Sequence, residues 1–147
     1  MQTEQMRLFK SIFQVSNLMH AAGDRLSAEL TFKQWFLLLV LCRNPQGLSV
    51  NEVAQKLAVK RQSVKKMIAI LENKGYVATT KAENDGRALC VAATDKALAF
   101  WRGHKELGFG LMQQALAGIE EDKLDVAQQV LQAVVANLAR AVVKNSE

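Results

Sequence analysis

The side chains with the clearest chemical potential lie together in a short stretch near the middle of the chain. Residues 60–66 supply four cations, an amide and a hydroxyl: Lys60, Arg61, Gln62, Ser63, Lys65 and Lys66. Arginine and glutamine make paired hydrogen bonds to base edges in the major groove of DNA. Lysine and serine bind phosphate oxygens, which adds affinity but little sequence information. The stretch therefore predicts a surface that binds double-stranded DNA.

A second candidate contact follows in a polar, turn-forming loop. Residues 82–87 read Ala-Glu-Asn-Asp-Gly-Arg and lie between two strand candidates, 76–81 and 88–93. The guanidinium of Arg87 suits the minor groove, which is narrower and more negative than the major groove. We therefore predict a two-stranded wing that brings Arg87 to DNA.

The distribution of charge agrees with this interpretation. The formal net charge is +5, and residues 60–87 hold seven Lys or Arg against three Asp or Glu, whereas residues 88–147 hold six against seven. A concentrated basic stretch is typical of a nucleic-acid-binding surface. An ordinary solvated helix face carries the same kind of charge, so charge alone leaves both interpretations open.

The sequence lacks the motifs that would indicate an enzyme or a metal site. It contains no glycine-rich nucleotide-binding loop, no zinc-protease motif and no nucleophile elbow. His20 and His104 are isolated, and the two cysteines are far apart. We therefore predict no catalytic activity, no cofactor and no metal. Cys42 lies on an apolar stripe, whereas Cys90 lies beside the wing, which makes thiol oxidation at Cys90 a second hypothesis.

The N-terminus resembles no secretion signal, and the longest uninterrupted apolar run, residues 35–42, is too short to span a bilayer. These features predict a cytoplasmic protein without a membrane partner.

The spacing of apolar residues predicts a mostly α-helical chain, with helices near residues 5–29, 32–43, 50–57, 61–73, 95–117 and 120–144. Thr31 and Ser49 are suited to begin helices, and Gly75 is suited to end one. The order of short helix, tight turn, second helix and hairpin is that of a winged helix-turn-helix. Glycines at 103, 108 and 110 within a helix predict a kink, a close backbone crossing or a hinge. The last helix has a heptad-like apolar seam and must pack against other helices.

Three motifs in this order resemble those of MarR-type regulators. They are LTFKQW at 30–35, LENKGYV at 71–77 and DGR at 85–87. The similarity extends over about residues 5–145. Two positions depart from the family pattern: Lys60 stands where a Ser or Thr cap is usual, and Gly86 replaces the first arginine of the wing.

The resemblance implies a single domain over residues 1–147, with dimerisation helices at 5–29 and 95–145 and a winged-helix DNA-binding lobe at 31–94. It implies a homodimer that represses transcription from a pseudo-palindromic operator, with Asp85 bracing Arg87. It also implies release by a small aromatic ligand, for which a pocket formed by Phe13, His20 and Trp35 is the candidate. The alternatives are a ligand or thiol redox sensor, and an adaptor with the same fold but little DNA binding.

Overall fold

The computed structural model describes residues 2–82 and 85–144, and at positions 82, 85–88 and 144 it describes the backbone only. It contains six helices and three strands in this part of the chain. In chain order they are α1 (Gln2–Gly23), α2 (Phe32–Cys42), β1 (Leu48–Ser49), α3 (Val50–Leu57), α4 (Arg61–Asn73), β2 (Val77–Ala82), β3 (Asp85–Ala93), α5 (Asp95–Ala115) and α6 (Glu121–Lys144). The predicted mostly α-helical winged-helix fold is confirmed.

Two of the helices begin at capping boxes. The Thr31 hydroxyl accepts the Gln34 backbone N–H, and the Gln34 side chain accepts the Thr31 backbone N–H. Ser49 and Glu52 make the same reciprocal pair at the start of α3. Each box satisfies two backbone donors that the helix itself leaves without partners. The starts of α2 and α3 are therefore fixed by residues three positions apart.

The core is formed by α2, α3, α4 and the sheet. Its centre consists of side chains that are almost completely buried: Leu37, Leu38, Leu41, Val53, Val64, Leu71, Tyr76 and Val91. Those in helices lie on one stripe of each helix, Val91 lies in β3, and Tyr76 directly precedes β2. Burial of such stripes holds α3 and α4 in place, because the burial of apolar surface is the main stabilising contribution to folding.

The sheet has one strand more than the sequence predicted. Its order is β1-β3-β2, with both pairs antiparallel, and Leu48 and Ser49 of β1 pair with Val91 and Cys90. The two-residue β1 is too short to produce an alternating pattern, which is why the prediction named only two strands. β3 also begins at Asp85, three residues before the predicted start.

The first helix ends earlier than residue 29. The ring of Phe32 lies against Gly23, where a Cβ atom would come within 1.9 Å of the ring. Asp24 then accepts the backbone N–H of Phe32 through Oδ1 at 2.8 Å. The chain therefore leaves the helix at Gly23, because packing against α2 outweighs the apolar periodicity that continues to Leu26.

The chain divides into two compact units, Met1–Leu111 and Met112–Glu147. Within the first unit, α5 passes close to α2 at Gly108, where a Cβ atom would lie 2.4 Å from Cη2 of Trp35. This neighbour is a side chain, so the predicted close backbone crossing stays a prediction. Gly103 and Gly110 have no such neighbour within 4 Å, and the hinge stays a prediction.

Helix α6, in the second unit, exposes most of its apolar side chains. By length and composition, Glu121–Val143 would suffice to cross a membrane, a test that core helices of soluble proteins also pass. The sequence prediction considered only uninterrupted apolar runs and so did not identify this helix. Asp122, Lys123 and Asp125 in its first turns and Arg140 near its end are exposed.

Candidate nucleic-acid interface

A tight turn between α3 and α4 fixes the direction of the candidate DNA-binding helix. Ala58 adopts a left-handed conformation with φ 53° and ψ 43°, an unusual choice for a residue with a Cβ atom. The Val59 N–H then donates to the Ala54 carbonyl at 3.1 Å. This closes the end of α3 and lets α4 begin after only three residues.

Helix α4 has one buried side and one polar side. Val64, Ile68 and Leu71 point into the core, with exposed fractions of 0%, 5% and 0%. The predicted contact residues are all exposed: Lys60, Arg61, Gln62, Ser63, Lys65 and Lys66. The structure thus places these side chains together on the solvent side of one helix.

The outermost line of α4 follows from its helical geometry. Successive residues are about 100° apart around the axis, so the line opposite the buried side contains Gln62, Lys66, Ala69 and Asn73. All four are exposed. The small Ala69 lets this surface approach a groove closely. Sequence reasoning did not identify Asn73, although its spacing of eleven residues from Gln62 equals three helical turns.

The N-terminal end of α4 is electropositive. Lys60 occupies the N-cap position but makes no side-chain capping hydrogen bond, and the first turn contains no acidic residue. Its free backbone N–H groups therefore add their partial positive charge to the side chains of Lys60 and Arg61. Among the side chains that the structure describes, neither cation has an ion-pair partner. Such an end suits a phosphate group.

The wing is formed by β2 and β3. Their register runs from Val77 opposite Ala93 to Ala82 opposite Asp85, with an irregularity between Lys81 and Ala82. The backbones of Asp85 and Arg87 lie in β3. Their side chains lie outside the described residues, so the bracing of Arg87 by Asp85 stays a prediction.

The family model that matches this chain is that of the MarR family, over residues 28–88. The transcriptional activatory protein BadR of Rhodopseudomonas palustris is 36% identical over 99 residues, which are 65% of this chain and 57% of that protein. The transcriptional repressor IacR of Pseudomonas putida is 24% identical over 75% of this chain and 65% of its own length. The chain therefore matches less than two thirds of the length of either relative.

A solved structure has the same fold. The MarR family regulator Sco3205 of Streptomyces coelicolor, in complex with DNA, has a TM-score of 0.82 over 92% of this chain and 88% of that protein. At 20% identity this likeness concerns the fold.

The winged-helix segment of this chain, residues 28–88, is therefore a MarR-family segment. The family match includes the whole of α2, α3 and α4 and ends inside β3. It therefore covers the exposed polar side of α4 and all three motifs, at 30–35, 71–77 and 85–87.

Two of the predicted ligand residues, His20 and Trp35, lie in one row of ring contacts, which does not include Phe13. The ring of His20 packs edge-on against Phe32 at 5.4 Å, and Trp35 contacts the rings of Phe36 at 5.8 Å and Trp101 at 5.0 Å. Phe32 and Phe36 connect these two groups, with their ring centroids 5.0 Å apart. The side chain of Phe13 is 68% exposed.

Trp35 has an unusual polar atom. Its Nε1 is buried, and within the described part of the chain it has no hydrogen-bond partner. A buried donor without an acceptor costs about 1–3 kcal/mol. The close approach of Gly108 holds the indole in place despite this cost.

The two cysteines of this chain have different surroundings. Burial raises the pKa of the Cys42 thiol, which packs against the core as the sequence predicted. Cys90 is half-buried in β3, and its Sγ lies 3.6 Å from the Gln46 carbonyl. A Cβ atom at Gly47 would lie 2.4 Å from this sulfur. The redox role of Cys90 stays a prediction.

Proposed function

We propose that this protein is a transcriptional regulator that binds double-stranded DNA in the cytoplasm through α4. The observation that carries the proposal is the division of α4 into a buried apolar side and an exposed side of cationic and amide groups. In this arrangement Gln62 reads base edges, while Lys65 and Lys66 hold phosphates on either side. Arg87 of the wing reaches the adjacent minor groove, braced by Asp85.

The apolar surfaces of α1 and α6 support a homodimer. Large apolar side chains are exposed on both helices, including Met6, Phe13 and Leu18 on α1 and Val135 and Leu138 on α6. Soluble proteins rarely leave surfaces of this size uncovered. In the proposed dimer these helices pack against those of a second copy, as the predicted division into dimerisation helices and a DNA-binding lobe requires.

A two-fold dimer presents two copies of α4, and two major grooves on one side of the duplex are about 34 Å apart. The operator is therefore a pseudo-palindrome. We propose that binding represses transcription, because a dimer on its operator blocks the promoter without any further contact. The activator and the repressor among the relatives show that both directions occur in similar proteins.

The test is selection from a random DNA pool at two salt concentrations, with the molecular mass measured in parallel. We expect an enriched inverted repeat bound by a dimer. Lys65→Ala should weaken binding to all sequences and lower the salt dependence by about one phosphate contact. Lys33→Ala is the matched control, because Lys33 is an exposed lysine of α2 and not of α4.

Each other result of this selection contradicts a different part of the proposal. Salt-dependent binding without an enriched sequence would indicate a non-specific DNA-binding protein. The absence of binding at low salt would contradict DNA recognition and favour the adaptor or sensor alternative. An equal loss in Lys65→Ala and Lys33→Ala would show that α4 is not the contact surface.

A small aromatic effector is a second proposal, favoured by the buried Nε1 of Trp35. An aromatic compound with an acceptor oxygen would satisfy this donor and extend the row of rings from His20 to Trp101. Its test is the quenching of tryptophan fluorescence by benzoate and related aromatic acids, together with release of the selected DNA. Trp35→Phe should retain DNA binding but lose the response. Release that is unchanged in this variant would contradict the assignment.

A further inference from the structure

The end of α4 is connected to the start of α5 by three hydrogen bonds. The Nζ of Lys96 donates to the Lys74 carbonyl at 2.6 Å, and the Thr94 hydroxyl donates to the Gly75 carbonyl at 2.7 Å. The Thr94 N–H donates to the Tyr76 carbonyl at 3.1 Å. Three successive carbonyls at the exit of α4 are therefore bound by residues that begin α5.

Glu29, in the segment before α2, makes two further bonds to the same exit. Its side-chain Oε2 accepts a short hydrogen bond from the Tyr76 hydroxyl, and its backbone carbonyl accepts the Nζ of Lys74 at 2.5 Å. Glu29 is anchored, because Leu30 is buried and Thr31 begins the capping box of α2. The exit of α4 is thus fixed from two directions.

The ring of Tyr76 lies between these two sets of bonds. It is buried, it contacts the ring of Phe100 on α5 at 5.4 Å, and the Nζ of Lys96 lies 4.5 Å from its centroid. We call this group the exit cluster; its members are Glu29, Lys74, Tyr76, Thr94 and Lys96. None of them is on the outermost line of α4, so the cluster has no evident part in touching bases.

We propose that the exit cluster positions α4 relative to α5, with Tyr76 and Glu29 as positioning residues for DNA binding. The inference rests on the proposed function, in which two copies of α4 enter successive major grooves. The separation of these copies depends on the angle at which each α4 leaves its own α5. A bond that fixes this angle selects the spacing of the half-sites without contacting DNA.

The experiment measures binding of full-length variants to the inverted repeat obtained by selection, and to versions with one base pair added or removed between the half-sites. Tyr76→Phe retains the ring and removes the hydroxyl, and Glu29→Ala removes the acceptor at an exposed position. Glu29→Gln retains an acceptor oxygen and is the rescue variant. Thr79→Val is the matched control, because it removes a 2.9 Å bond to the Glu72 carboxylate of α4 that involves neither α5 nor Glu29.

We expect Tyr76→Phe and Glu29→Ala to bind the native spacing about tenfold more weakly, the effect of one hydrogen bond to a charged group. Their affinity for the altered spacings should stay near that of the unmodified protein, so that discrimination between spacings is lost. Glu29→Gln and Thr79→Val should retain discrimination. Circular dichroism of each variant confirms that it is folded.

Two outcomes overturn the inference while the proposed function stands. In the first, Tyr76→Phe and Glu29→Ala discriminate between spacings as well as the unmodified protein does. In the second, both variants lose affinity equally for all spacings and for an isolated half-site, which would indicate a purely structural bond. If the unmodified protein binds no DNA, the proposed function itself fails, and the inference fails with it.

Discussion

Helices α4 and α6 both carry apolar residues at helical spacing, but they bury them to very different extents. In α4 the apolar side chains Val64, Ile68 and Leu71 are buried and the exposed side is mainly polar. In α6 only Leu124 and Val134 are partly covered among the described side chains, and Val135, Leu138 and others are exposed. The same spacing of apolar residues thus leads to burial of the apolar side chains in α4 and leaves them exposed to solvent in α6.

The exposed sides of α4 and α6 suit two different kinds of partner. The exposed side of α4 is polar enough to remain in water until a charged partner arrives. The exposed side of α6 is apolar and is stable in water only when another apolar surface covers it. We therefore expect substitutions in α4 to separate folding from DNA binding, and substitutions in α6 to act on association first.

The largest expected effect is that of Leu138→Asp in α6. A carboxylate at an apolar interface must be dehydrated without a partner, so the dimer should dissociate and DNA binding should fall more than about a hundredfold. Light scattering should then give a mass near the 16.3 kDa of one chain. Gln129→Asp is the control, because a separation of nine residues places Gln129 on the opposite side of α6 from Leu138. An unchanged mass in Leu138→Asp would place the interface elsewhere.

The next effect concerns the buried side of α4. Leu71→Ala removes a fully buried side chain and should lower the free energy of unfolding by about 3 kcal/mol. Lys66→Ala, on the opposite side, should change it by less than about 0.5 kcal/mol but should weaken DNA binding. Urea denaturation measures both values. Equal losses of stability would contradict the assignment of the two sides.

A smaller effect is expected at the start of α4. Lys60→Ser supplies the missing cap and should raise the free energy of unfolding by about 1 kcal/mol. It should also weaken DNA binding several-fold and lower the salt dependence by about one contact, because a cation is lost. Lys60→Ala should show the loss of binding without the gain in stability. If Lys60→Ser binds DNA as well as the unmodified protein, Lys60 holds no phosphate.

The smallest effect concerns the exit of α4. Burial, together with the hydrogen bond and negative charge of Glu29, raises the pKa of Tyr76 to about 12. The pKa of Tyr76 in the folded state lies above its usual value. The protonated hydroxyl therefore stabilises the folded protein fully below about pH 10, and this stabilisation is lost as the pH rises through about 12. Tyr76 is the only tyrosine, so tyrosinate absorbance reports it directly.

In Glu29→Ala the ionisation of Tyr76 should move towards lower pH. Part of the increase in the pKa of Tyr76 should remain in this variant, because burial is the largest cause of that increase. A midpoint near pH 10 in the unmodified protein would show that the hydroxyl is exposed and that its bond to Glu29 is absent in solution.

Much of the DNA-binding lobe could be predicted because its signals are local. Each of three features depends on residues within four positions of one another. They are the bounds of α4, the capping box at Ser49 and the left-handed conformation of Gly75, with φ 82°. The exposed cations followed from the same periodicity, since the residues between the buried positions of a helix must face outwards.

Other features could not be predicted because they depend on residues that are distant in sequence. The end of α1 at Gly23 is set by the ring of Phe32, and β1 exists only because β3 pairs with it. The Nε1 of Trp35, which lacks a hydrogen-bond partner among the described residues, is buried where this side chain packs against α5. These contacts cannot be predicted from helix or strand propensities or from the spacing of apolar residues.

The sequence by itself determined most helix bounds, the caps of α2 and α3, the polar side of α4 and the motifs that resemble the MarR family, because each depends on side chains a few residues apart. Only the tertiary structure decided where α1 ends, how many strands the sheet has, and that Glu29 meets Tyr76 across 47 positions of the chain. The physical reason is that burial of the common core of α2, α3, α4 and β3 brings these distant residues together. The local backbone preferences that a sequence displays extend over only a few residues.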